Sequence, residues 1–509
     1  MNSFYITTPI YYVNDKPHIG HAYTTIACDI ISRYNKLIGN DVFFLTGTDE
    51  HGQKVEKAAA KSSMNTKIFV DKMAQSFKDL VPYLKCNIDY FIRTTDENHI
   101  KASQSLWSEL IKNDEIYLSN YEGWYSIRDE AFYSDSELTK INNKFIAPSG
   151  SEVEWVKEES YFFRLSKWEK PLLDFYKNNP EAISPKSRYN EVISFIKSGL
   201  KDLSISRTTF KWGVPVPNNT NHVMYVWIDA LCNYLTAIGY PDKENLKFKK
   251  LWPATHVVGK DILRFHSVYW PAFLMAVNLK PPKKVFAHGW WTNEGQKISK
   301  SLGNIIDPYD IVSQYGIDQI RFFLFREVPF GNDGDFSKNA ISNRVNSDLS
   351  NNLGNLIQRV CSFINKNCNS KVLNTFDKSN SNDNFILNLS IEKFDNYNKF
   401  MKNLEIDKAI KEIFELLSET NSYIDKESPW KLKNNDEKRM NTILSVAVEI
   451  IRRASLLLYP IIPTSCEKIF SIIDLNKNSI NLNNYKSLPD NSFFINESFP
   501  VFPRIEVND

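Results

Sequence analysis

The chain has 509 residues, which is too many for one ordinary hydrophobic core, so about three domains are expected. Its composition, with 42% hydrophobic and 24% charged residues, is typical of a globular protein and excludes the disordered and fibrous classes. Lys and Arg number 62 and Asp and Glu number 60, so the net charge of +2 neither indicates nor excludes a nucleic-acid partner.

No stretch of the sequence predicts membrane insertion or export. The most apolar run, residues 443–448, is followed by Glu449, Arg452 and Arg453, which predicts a buried helix rather than a membrane span. The first residues, "MNSFYITTP", lack a basic region followed by an apolar core, so no secretory signal is expected. The six cysteines form no CxxC pair, which favours a reducing compartment, and a cytoplasmic location is therefore expected.

The first predicted elements form a βαβ unit. "SFYITTP" predicts a short strand, and "DVFFLTG" predicts a buried strand. Between them, apolar residues from Ile26 to Ile38 follow a helical period that Gly39 and Asn40 end. This order predicts a parallel sheet of the nucleotide-binding type, and "THVVGKD" and "KVFAHGWW" predict further strands of it.

The remaining elements differ from this pattern. Residues 116–222 are rich in aromatic residues and hairpin-like, which predicts an insertion that splits the sheet domain. From about residue 305 onward, helical patterns dominate and predict an α-helical bundle. The polar segment at residues 369–384 predicts a loop between helices, and the sequence contains no internal repeat.

The stretch "PHIGH" at residues 17–21 can be interpreted chemically. Gly20, just before a helix, allows a nucleotide to approach the backbone, and a helix N-terminus favours phosphate. His18 and His21 can donate hydrogen bonds to phosphoryl oxygens as charge develops. The alternative is a capping loop with two ordinary surface histidines, and for this stretch alone that alternative is favoured.

The stretch "GQKISKSLGN" at residues 295–304 predicts a glycine-flanked, lysine-rich loop. Lys297 and Lys300 can reach a triphosphate, and Ser299 and Ser301 can hydrogen-bond to it. The alternative is a solvated loop. Taken together and in this order, the two stretches resemble those of the class I aminoacyl-tRNA synthetases, with Ile298 in place of the usual methionine.

Six longer stretches resemble the methionyl-tRNA synthetase family nearly from end to end. They are "TTPIYYVNDKPHIGHAYT", "FLTGTDEHGQK", "YEGWYSIRDEAFY", "YVWIDALCNY", "VGKDILRFHSVYWPA" and "REVPFGNDGDFS". The resemblance implies an enzyme that uses ATP with Mg²⁺ to form methionyl-adenylate from L-methionine. It then transfers the methionyl group to the 3′-terminal ribose of initiator and elongator methionine tRNA.

The resemblance also assigns site residues. Catalytic roles fall on His18, His21, Lys297 and Lys300, and ATP binding on these four with Gly20, Gly259, Asp261 and Ser299. Asp49 is expected to bind the α-ammonium group. The methionine side chain is expected to lie against Ile10, Tyr12, Trp227, Ala230, Tyr234, Ile262 and His266. Without the resemblance, each pocket residue is better interpreted as core; Trp227 and Tyr234, for example, are seven apart on one helix face.

The same resemblance predicts an anticodon-binding site in the C-terminal third. Asn355 and Arg359 are four residues apart, so on a helix they share one face and can read a splayed base. Trp430, after Pro429, offers a surface for stacking an unpaired base. The alternative is that Trp430 is a core residue and Arg359 a solvated charge.

The predicted fold class is α/β, a class I Rossmann-type parallel-sheet catalytic domain split by a connective insertion and followed by a helical anticodon-binding bundle. The predicted boundaries are 1–115 and 223–295 for the two halves of the catalytic domain, 116–222 for the insertion, 296–350 for the lysine loop and linking subdomain, and 351–509 for the anticodon-binding domain.

Two absences distinguish the sequence from some relatives. No cysteine lies between Cys86 and Cys232 and no histidine between His99 and His222, so the insertion is expected to hold no zinc. Aromatic packing around Trp124, Trp155 and Trp168 is expected to stabilise the insertion in place of a metal. Since the sequence ends at Asp509, without room for an appended dimerisation domain, a monomer is expected.

Four other functions are alternatives to this interpretation. A synthetase for leucine, isoleucine or valine needs a larger editing insertion than residues 116–222, and a cysteine-specific enzyme needs zinc thiolates in its pocket. A non-catalytic tRNA-binding relative does not need both motifs intact. A small HxGH nucleotidyltransferase does not account for the C-terminal helices. The methionine enzyme is therefore favoured over all four.

Overall fold

The computed structural model describes residues 2–129, 131–141, 144–298, 304–373, 376, 379–488 and 492–506. The chain divides into two compact units. The sheet unit contains Ser3–Pro17 and Phe43–His288. The helical unit contains Met1–Asn2, His18–Val42 and Gly289–Asp509.

The strands are short except for three in the first third of the chain. In chain order they are β1 (Ser3–Thr7), β2 (Tyr11–Tyr12), β3 (Asp41–Asp49), β4 (Tyr90–Arg93), β5 (Ile116–Ser126), β6 (Ala131–Tyr133), β7 (Thr139–Ile141), β8 (Lys144–Ile146), β9 (Glu154–Phe163), β10 (Ile183–Ser184), β11 (Leu203–Ser204), β12 (Ser206–Arg207), β13 (Val223–Met224), β14 (Thr255–Gly259), β15 (Lys284–His288), β16 (Trp291–Asn293), β17 (Gln296–Lys297), β18 (Gly334–Phe336), β19 (Lys371–Val372) and β20 (Phe493–Phe494).

The helices lengthen toward the C-terminal third. They are α1 (Ile19–Leu37), α2 (Gln53–Lys61), α3 (Thr66–Tyr83), α4 (Glu97–Lys112), α5 (Glu169–Asn178), α6 (Lys186–Lys197), α7 (Val226–Thr236), α8 (Leu246–Leu251), α9 (Trp270–Ala276), α10 (Pro308–Tyr315), α11 (Ile317–Arg326), α12 (Lys338–Arg344), α13 (Asn355–Asn367), α14 (Ser381–Lys402), α15 (Ile406–Glu427), α16 (Glu437–Leu458) and α17 (Pro463–Ile472). Phe265–Tyr269 and Val345–Gly354 are π-helical.

The main sheet has seven strands in the order β10-β15-β14-β1-β3-β2, with β4 also paired to β3. The pairs β1–β14, β14–β15, β10–β15, β2–β3 and β3–β4 are parallel. The predicted parallel sheet is therefore confirmed, and the four predicted runs supply β1, β3, β14 and β15. β3 ends at Asp49 and β14 ends at Gly259, the edge at which open α/β sheets bind ligands.

The core of the sheet unit combines residues of the strands with residues of the helices. Tyr5 and Val258 from the strands are buried together with Trp107 of α4 and Trp270 of α9. Phe163, at the end of β9, belongs to the same buried cluster, and its ring lies 4.7 Å from that of Phe273. The antiparallel strands of the predicted insertion thus share a core with the parallel sheet, because their ends carry large apolar side chains into it.

The predicted hairpin-like segment forms a four-stranded sheet in the order β11-β9-β5-β6, in which β5 and β9 are a long antiparallel pair. Two of the three predicted tryptophans meet there, since the rings of Trp124 and Trp155 lie 5.0 Å apart. Trp168 is partly buried and packs against the hydrophobic core of the sheet unit. Its indole N–H donates to the buried Glu115 carboxylate at 3.0 Å, because a carboxylate removed from water requires donors.

The sequence patterns do not predict three elements that the structure has within residues 169–197. α5 and α6 each bury one short apolar pair, Leu172 with Tyr176 and Val192 with Ile196. β10 lies between these helices and pairs in parallel with β15 of the main sheet. A pair of apolar residues four apart is too short a signal to separate a helix from a hairpin.

The helical unit begins with α1, which ends before Gly39 as the sequence predicts but begins at Ile19, so that Gly20 lies within its first turn and not before the helix. His18 is its N-cap residue, and Gly39 follows its end with φ +85°. The N–H of Gly39 donates to the carbonyl of Lys36 and that of Asn40 to Asn35, so the last carbonyls of the helix are bonded.

The C-terminal part of the unit is helical, as predicted. α14, α15 and α16 pack against one another, and α16 contains the apolar run at residues 443–448 as a buried helix. A small sheet of β16, β17 and β18 precedes the bundle. The polar segment at residues 369–384 contains the short strand β19 and the start of α14, and part of it lies outside the described residues.

A buried ion pair joins α1 to the later helices of the unit. Asp29 of α1 lies 2.7 Å from Arg321 of α11, and both side chains are fully buried. Arg33 is a second partner of Asp29 at 2.7 Å. Arg321 also donates to the carbonyls of Pro460 and Ile461, which follow α16. One guanidinium thus connects three helical segments.

We expect Asp29→Leu to lower the free energy of unfolding by about 3–5 kcal/mol, because it removes an anionic hydrogen-bond partner of the fully buried Arg321 guanidinium. Urea denaturation followed by circular dichroism measures this change. Glu97→Ala is the control, since the Glu97–Lys101 pair is solvent-exposed and its loss should hardly move the midpoint. Equal, small losses in both variants would contradict the structural role of Asp29.

Candidate functional site

The first motif forms the N-terminus of α1 through its own histidines. His18 is extended, with φ −133° and ψ 177°, and its Nδ1 accepts from the Gly20 N–H at 3.1 Å. The His18 N–H donates to Nδ1 of His21 at 3.1 Å. Both Nδ1 atoms therefore act as acceptors, so each neutral ring carries its proton on Nε2, as a hydrogen-bond donor.

Electrostatics keep the second of these rings neutral. Burial, together with the nearby His18 ring, holds the pKa of His21 well below its ordinary value. The two ring centroids are only 3.8 Å apart, so two positive charges there repel strongly. The motif therefore presents imidazole N–H donors at a helix N-terminus without a buried charge.

The second motif begins on a hairpin of the same unit. β16 and β17 are joined at Glu294 and Gly295, whose φ angles are +49° and +76°, and Lys297 pairs with Thr292. The Asp335 carboxylate accepts from the Gly295 N–H at 2.8 Å and from the Thr292 hydroxyl at 2.5 Å. The hairpin is thus held by one anchoring carboxylate.

Hydrogen bonds attach the first motif to the segment that follows the second. The N–H of Ile19, the first residue of α1, donates to the carbonyl of Ile306 at 3.1 Å. The side-chain amide of Asn293, on β16, donates to the carbonyl of Asn304 at 3.0 Å, so the chain after the lysine loop is fixed at both positions. The predicted residues Ser299, Lys300, Ser301 and Gly303 lie outside the described residues.

The predicted anticodon residues lie on α13 and on the 3₁₀ turn Pro429–Lys431 that follows α15. The Arg359 guanidinium lies over the Trp430 ring at 5.3 Å and pairs with Asp425 at 2.5 Å. Trp430 is 40% exposed, whereas Pro429 is buried. The structure thus brings Arg359 and Trp430 together, with Asn355 exposed one turn before Arg359.

In the sheet unit, the predicted methionine-binding residues begin at two adjacent strand ends. Tyr12 of β2 is in register with Asp49, the last residue of β3. Asp49 is 7% exposed, so its carboxylate is largely removed from water. Ile10 and Tyr12 are partly buried and pack against the main core of the unit.

One face of α7 supplies the next three predicted residues, Trp227, Ala230 and Tyr234, at positions i, i+3 and i+7. The Trp227 ring lies 6.1 Å from the ring of His266, and the Tyr234 ring lies 5.8 Å from it. Phe265, which sequence reasoning missed, stacks on Trp227 with the ring centroids 3.7 Å apart. Trp227, Tyr234 and His266 therefore form one cluster with Phe265.

The hydrogen bonds of His266 define its tautomer. Its Nδ1 lies 3.0 Å from the carbonyl of Ile262, which can only accept, so Nδ1 carries the proton. Its Nε2 therefore accepts from the Tyr234 hydroxyl at 2.7 Å. Burial lowers the pKa of His266 to about 4, so the ring is neutral at pH 7 and both of its nitrogens are engaged within the protein.

Gly259 and Asp261 follow the same sheet edge. Gly259 is in register with His288 of β15, and Asp261 is exposed in the turn Lys260–Ile262 that follows β14. A Cβ atom on Gly259 would collide with the Asp261 carboxylate. Glycine is therefore required for the position that Asp261 adopts.

Sequence reasoning missed the residues that anchor the segment after Asp49. Glu50 is held by Arg93 through two hydrogen bonds of 2.6 and 2.9 Å. His51 and His99 each lie 2.7 Å from the fully buried Asp229. The available signal was the sequence "TDEHG", in which two further ionisable residues directly follow the assigned carboxylate.

Two kinds of structural feature are absent from the described ranges. None of the helices there combines the length and apolar character that crossing a bilayer requires. In the same ranges, His, Cys, Asp and Glu side chains form no group of three or more that could hold a metal ion.

Comparison with protein families matches most of the chain. The family model described as "tRNA synthetases class I (M)" matches residues 4–144 and 137–361. The model described as "Anticodon binding domain of methionyl tRNA ligase" matches residues 375–490. The two models thus cover both the sheet-containing part and the helical C-terminal part.

Individual proteins agree with these models. Methionine–tRNA ligase of Rickettsia felis is 53% identical over 481 residues, which is 94% of this chain and 93% of that protein. The Brucella suis enzyme of the same name is 49% identical over 472 residues, covering 92% and 91%. The structure of Mycobacterium tuberculosis methionyl-tRNA synthetase in complex with methionyl-adenylate is 43% identical, with a TM-score of 0.97 over 99% of this chain and 100% of that one. The chain therefore belongs to the methionyl-tRNA synthetase family, the class I enzymes that activate methionine with ATP and ligate it to tRNA.

Proposed function

We propose that the residue cluster of the sheet unit is the methionine-binding site of this ligase. Asp49 binds the α-ammonium group, and the side chain lies among Ile10, Tyr12, Trp227, Ala230, Tyr234, Ile262 and His266. The observation that carries this proposal is the register of Tyr12 with Asp49, which puts an aromatic ring beside a largely buried carboxylate. The neutral, internally bonded His266 also suits an uncharged thioether.

The proposed reaction begins with attack of the methionine carboxylate on the α-phosphate of Mg·ATP, which releases pyrophosphate. ATP is bound by His18, Gly20, His21, Gly259, Asp261, Lys297, Ser299 and Lys300. His18 and His21 donate from Nε2 to phosphoryl oxygens as their charge develops, and Lys297 and Lys300 stabilise the leaving pyrophosphate. The adenylate named in the M. tuberculosis complex supports this route.

In the second step, the 2′-hydroxyl of the terminal tRNA ribose attacks the adenylate and releases AMP. Neither step needs a covalent enzyme intermediate, so catalysis consists of positioning and charge stabilisation. Asn355, Arg359, Pro429 and Trp430 are proposed to read the anticodon of both initiator and elongator methionine tRNA. The Arg359–Trp430 contact, on a partly exposed surface, supports this assignment.

The remaining proposals concern the chain as a whole. The functional organisation is proposed to follow the predicted division of the chain. This division places the catalytic domain at residues 1–115 and 223–295, the insertion at 116–222, the linking subdomain at 296–350 and the anticodon-binding domain at 351–509. The enzyme is proposed to act as a cytoplasmic monomer without structural zinc. The absence of a CxxC pair from the sequence supports the last point.

We expect Asp49→Asn to raise the KM for methionine in ATP–pyrophosphate exchange by about 10–100-fold, because a neutral amide replaces the carboxylate charge that is proposed to face the α-ammonium group. Asp89→Asn is the matched control. The Asp89 carboxylate accepts from the N–H of Phe44, which lies on β3 like Asp49, so the loss of the Asp89 charge should affect stability and not the KM for methionine.

Wild-type enzyme should exchange with methionine far better than with leucine, isoleucine, valine or cysteine. A better substrate among these four would refute the specificity.

We expect Tyr234→Phe to leave Nε2 of His266 buried without its donor, at a cost of about 1–3 kcal/mol. The KM for methionine should rise while the KM for ATP stays the same, as measured by exchange kinetics at pH 7.5. Tyr5→Phe is the control, since it also removes one buried tyrosine hydroxyl, which donates to the Tyr234 carbonyl. An equal rise in KM for both variants would contradict the specific role of the Tyr234 hydroxyl.

We expect Trp430→Ala to lower charging of methionine tRNA at least tenfold, since stacking on one base contributes about 1–3 kcal/mol. Exchange without tRNA should persist. Phe494→Ala removes another exposed aromatic ring of the helical unit and should leave charging unchanged. If Trp430→Ala reduces exchange and thermal stability as much as charging, the residue is structural.

A further inference from the structure

The segment that follows Asp49 is held on one side by Glu50. The Glu50 carboxylate accepts two hydrogen bonds from Arg93, one from Thr95 at 2.5 Å and one from Thr48 at 2.7 Å. Its N–H donates to the Thr94 hydroxyl at 2.9 Å. These bonds fix the backbone immediately after Asp49 to β4 and the turn that follows it.

On the other side, His51 begins a buried bridge that ends on α4. Nδ1 of His51 lies 2.7 Å from Oδ2 of Asp229, and Nε2 of His99 lies 2.7 Å from Oδ1 of the same carboxylate. The three side chains are buried, with exposures of 5% for His51 and 0% for Asp229 and His99. We refer to these three residues as the Asp229 bridge.

The charge state of the Asp229 bridge follows from its contacts. Burial alone opposes ionisation of Asp229, but His51 and His99 outweigh it and lower the pKa of Asp229 to about 2. An ionised carboxylate can only accept hydrogen bonds, so both imidazoles donate to it. Such hydrogen bonds are short and directional, and they hold the two rings at defined positions relative to α7.

The Asp229 bridge connects the two ends of the proposed methionine site. His51 lies two residues beyond Asp49, which is proposed to bind the ammonium group. Asp229 lies on α7 between Trp227 and Ala230, which are proposed to line the side-chain pocket. His99 also lies 3.2 Å from the hydroxyl of Thr236 through Nδ1, so α7 is bonded to α4 at two positions.

We propose that Asp229 is a positioning residue for methionine: through His51 it sets the distance between the Asp49 carboxylate and the pocket face of α7. The inference rests on the proposed binding roles of Asp49 and Trp227. A substrate with a charged end and an apolar end binds well only when both contacts are made at once. Loss of the bridge therefore weakens methionine binding and leaves ATP binding unaffected.

The test measures the KM for methionine, the KM for ATP and kcat in pyrophosphate exchange, together with the melting temperature. Asp229→Asn should raise the KM for methionine about tenfold, because one neutral amide replaces two charge-assisted contacts. The KM for ATP should change less than about twofold, since the bridge is proposed to act on methionine alone. A rise in both KM values by the same factor would overturn the inference.

Asp383→Asn is the matched control for buried charge. The Asp383 carboxylate is 1% exposed and is bonded to Arg439 and Tyr423 within the helical unit. This variant should lose thermal stability while keeping the KM for methionine. If Asp383→Asn raises that KM as much as Asp229→Asn does, destabilisation explains both effects and the inference fails.

Two substitutions of His51 decide the question even if Asp229→Asn does not fold. His51→Asn keeps an N–H donor close to the position of Nδ1, whereas His51→Leu keeps apolar volume without a donor. A positioning role predicts a KM near wild type for His51→Asn and about a tenfold rise for His51→Leu. A packing role predicts the reverse order, which would refute the inference.

Failure of this inference is distinct from failure of the proposed methionine site. If Asp49→Asn leaves the KM for methionine unchanged, the proposed site is wrong, and the inference falls with it. If Asp49→Asn raises the KM while Asp229→Asn and His51→Leu do not, the site stands and the Asp229 bridge is only structural.

Discussion

A carboxylate that is removed from water must be surrounded by hydrogen-bond donors, and this requirement fixes the functional segments of the chain. Glu50 and Asp229 hold the segment beyond Asp49 in the sheet unit. Asp29 holds α1 against α11 in the helical unit, where the exposed carboxylate of Asp335 also holds the hairpin that begins the lysine loop. Each of these carboxylates lies outside the proposed contacts with substrate, yet each determines where a proposed contact residue is found.

Hydrogen bonds within the protein also decide which proton each proposed histidine offers. The Nδ1 atoms of His18 and His21 accept backbone N–H groups, so their Nε2 atoms remain donors, suited to phosphate oxygens. His266 is the opposite case. Its Nδ1–H donates a hydrogen bond to a backbone carbonyl, and its Nε2 accepts one from a tyrosine hydroxyl. Histidine thus serves as a hydrogen-bond donor at a helix terminus and as an uncharged lining residue in the proposed apolar pocket.

The sequence patterns predict the elements that have strong local signals. The strands β1, β3, β14 and β15 and the C-terminal end of α1 follow from apolar runs and a C-terminal glycine. The patterns fail where the signal is short or where contacts distant in sequence decide. α5, α6 and β10 carry too few apolar positions, and the hydrogen bond from Trp168 to the buried Glu115 joins residues that are 53 apart in sequence.

The amino-acid sequence by itself determines the family, the parallel sheet, the helical C-terminal region and the identities of the proposed contact residues, because these depend on ordered motifs and on local periodicity. Only the tertiary structure reveals that Ile19 is bonded to Ile306, that Phe265 stacks on Trp227 and that Asp229 joins His51 to His99. Residues 51 and 229 are separated by most of the sheet unit in sequence, and 19 and 306 by even more. No local pattern records such pairs, since the chain brings them together only when buried polar groups find their partners in the folded core.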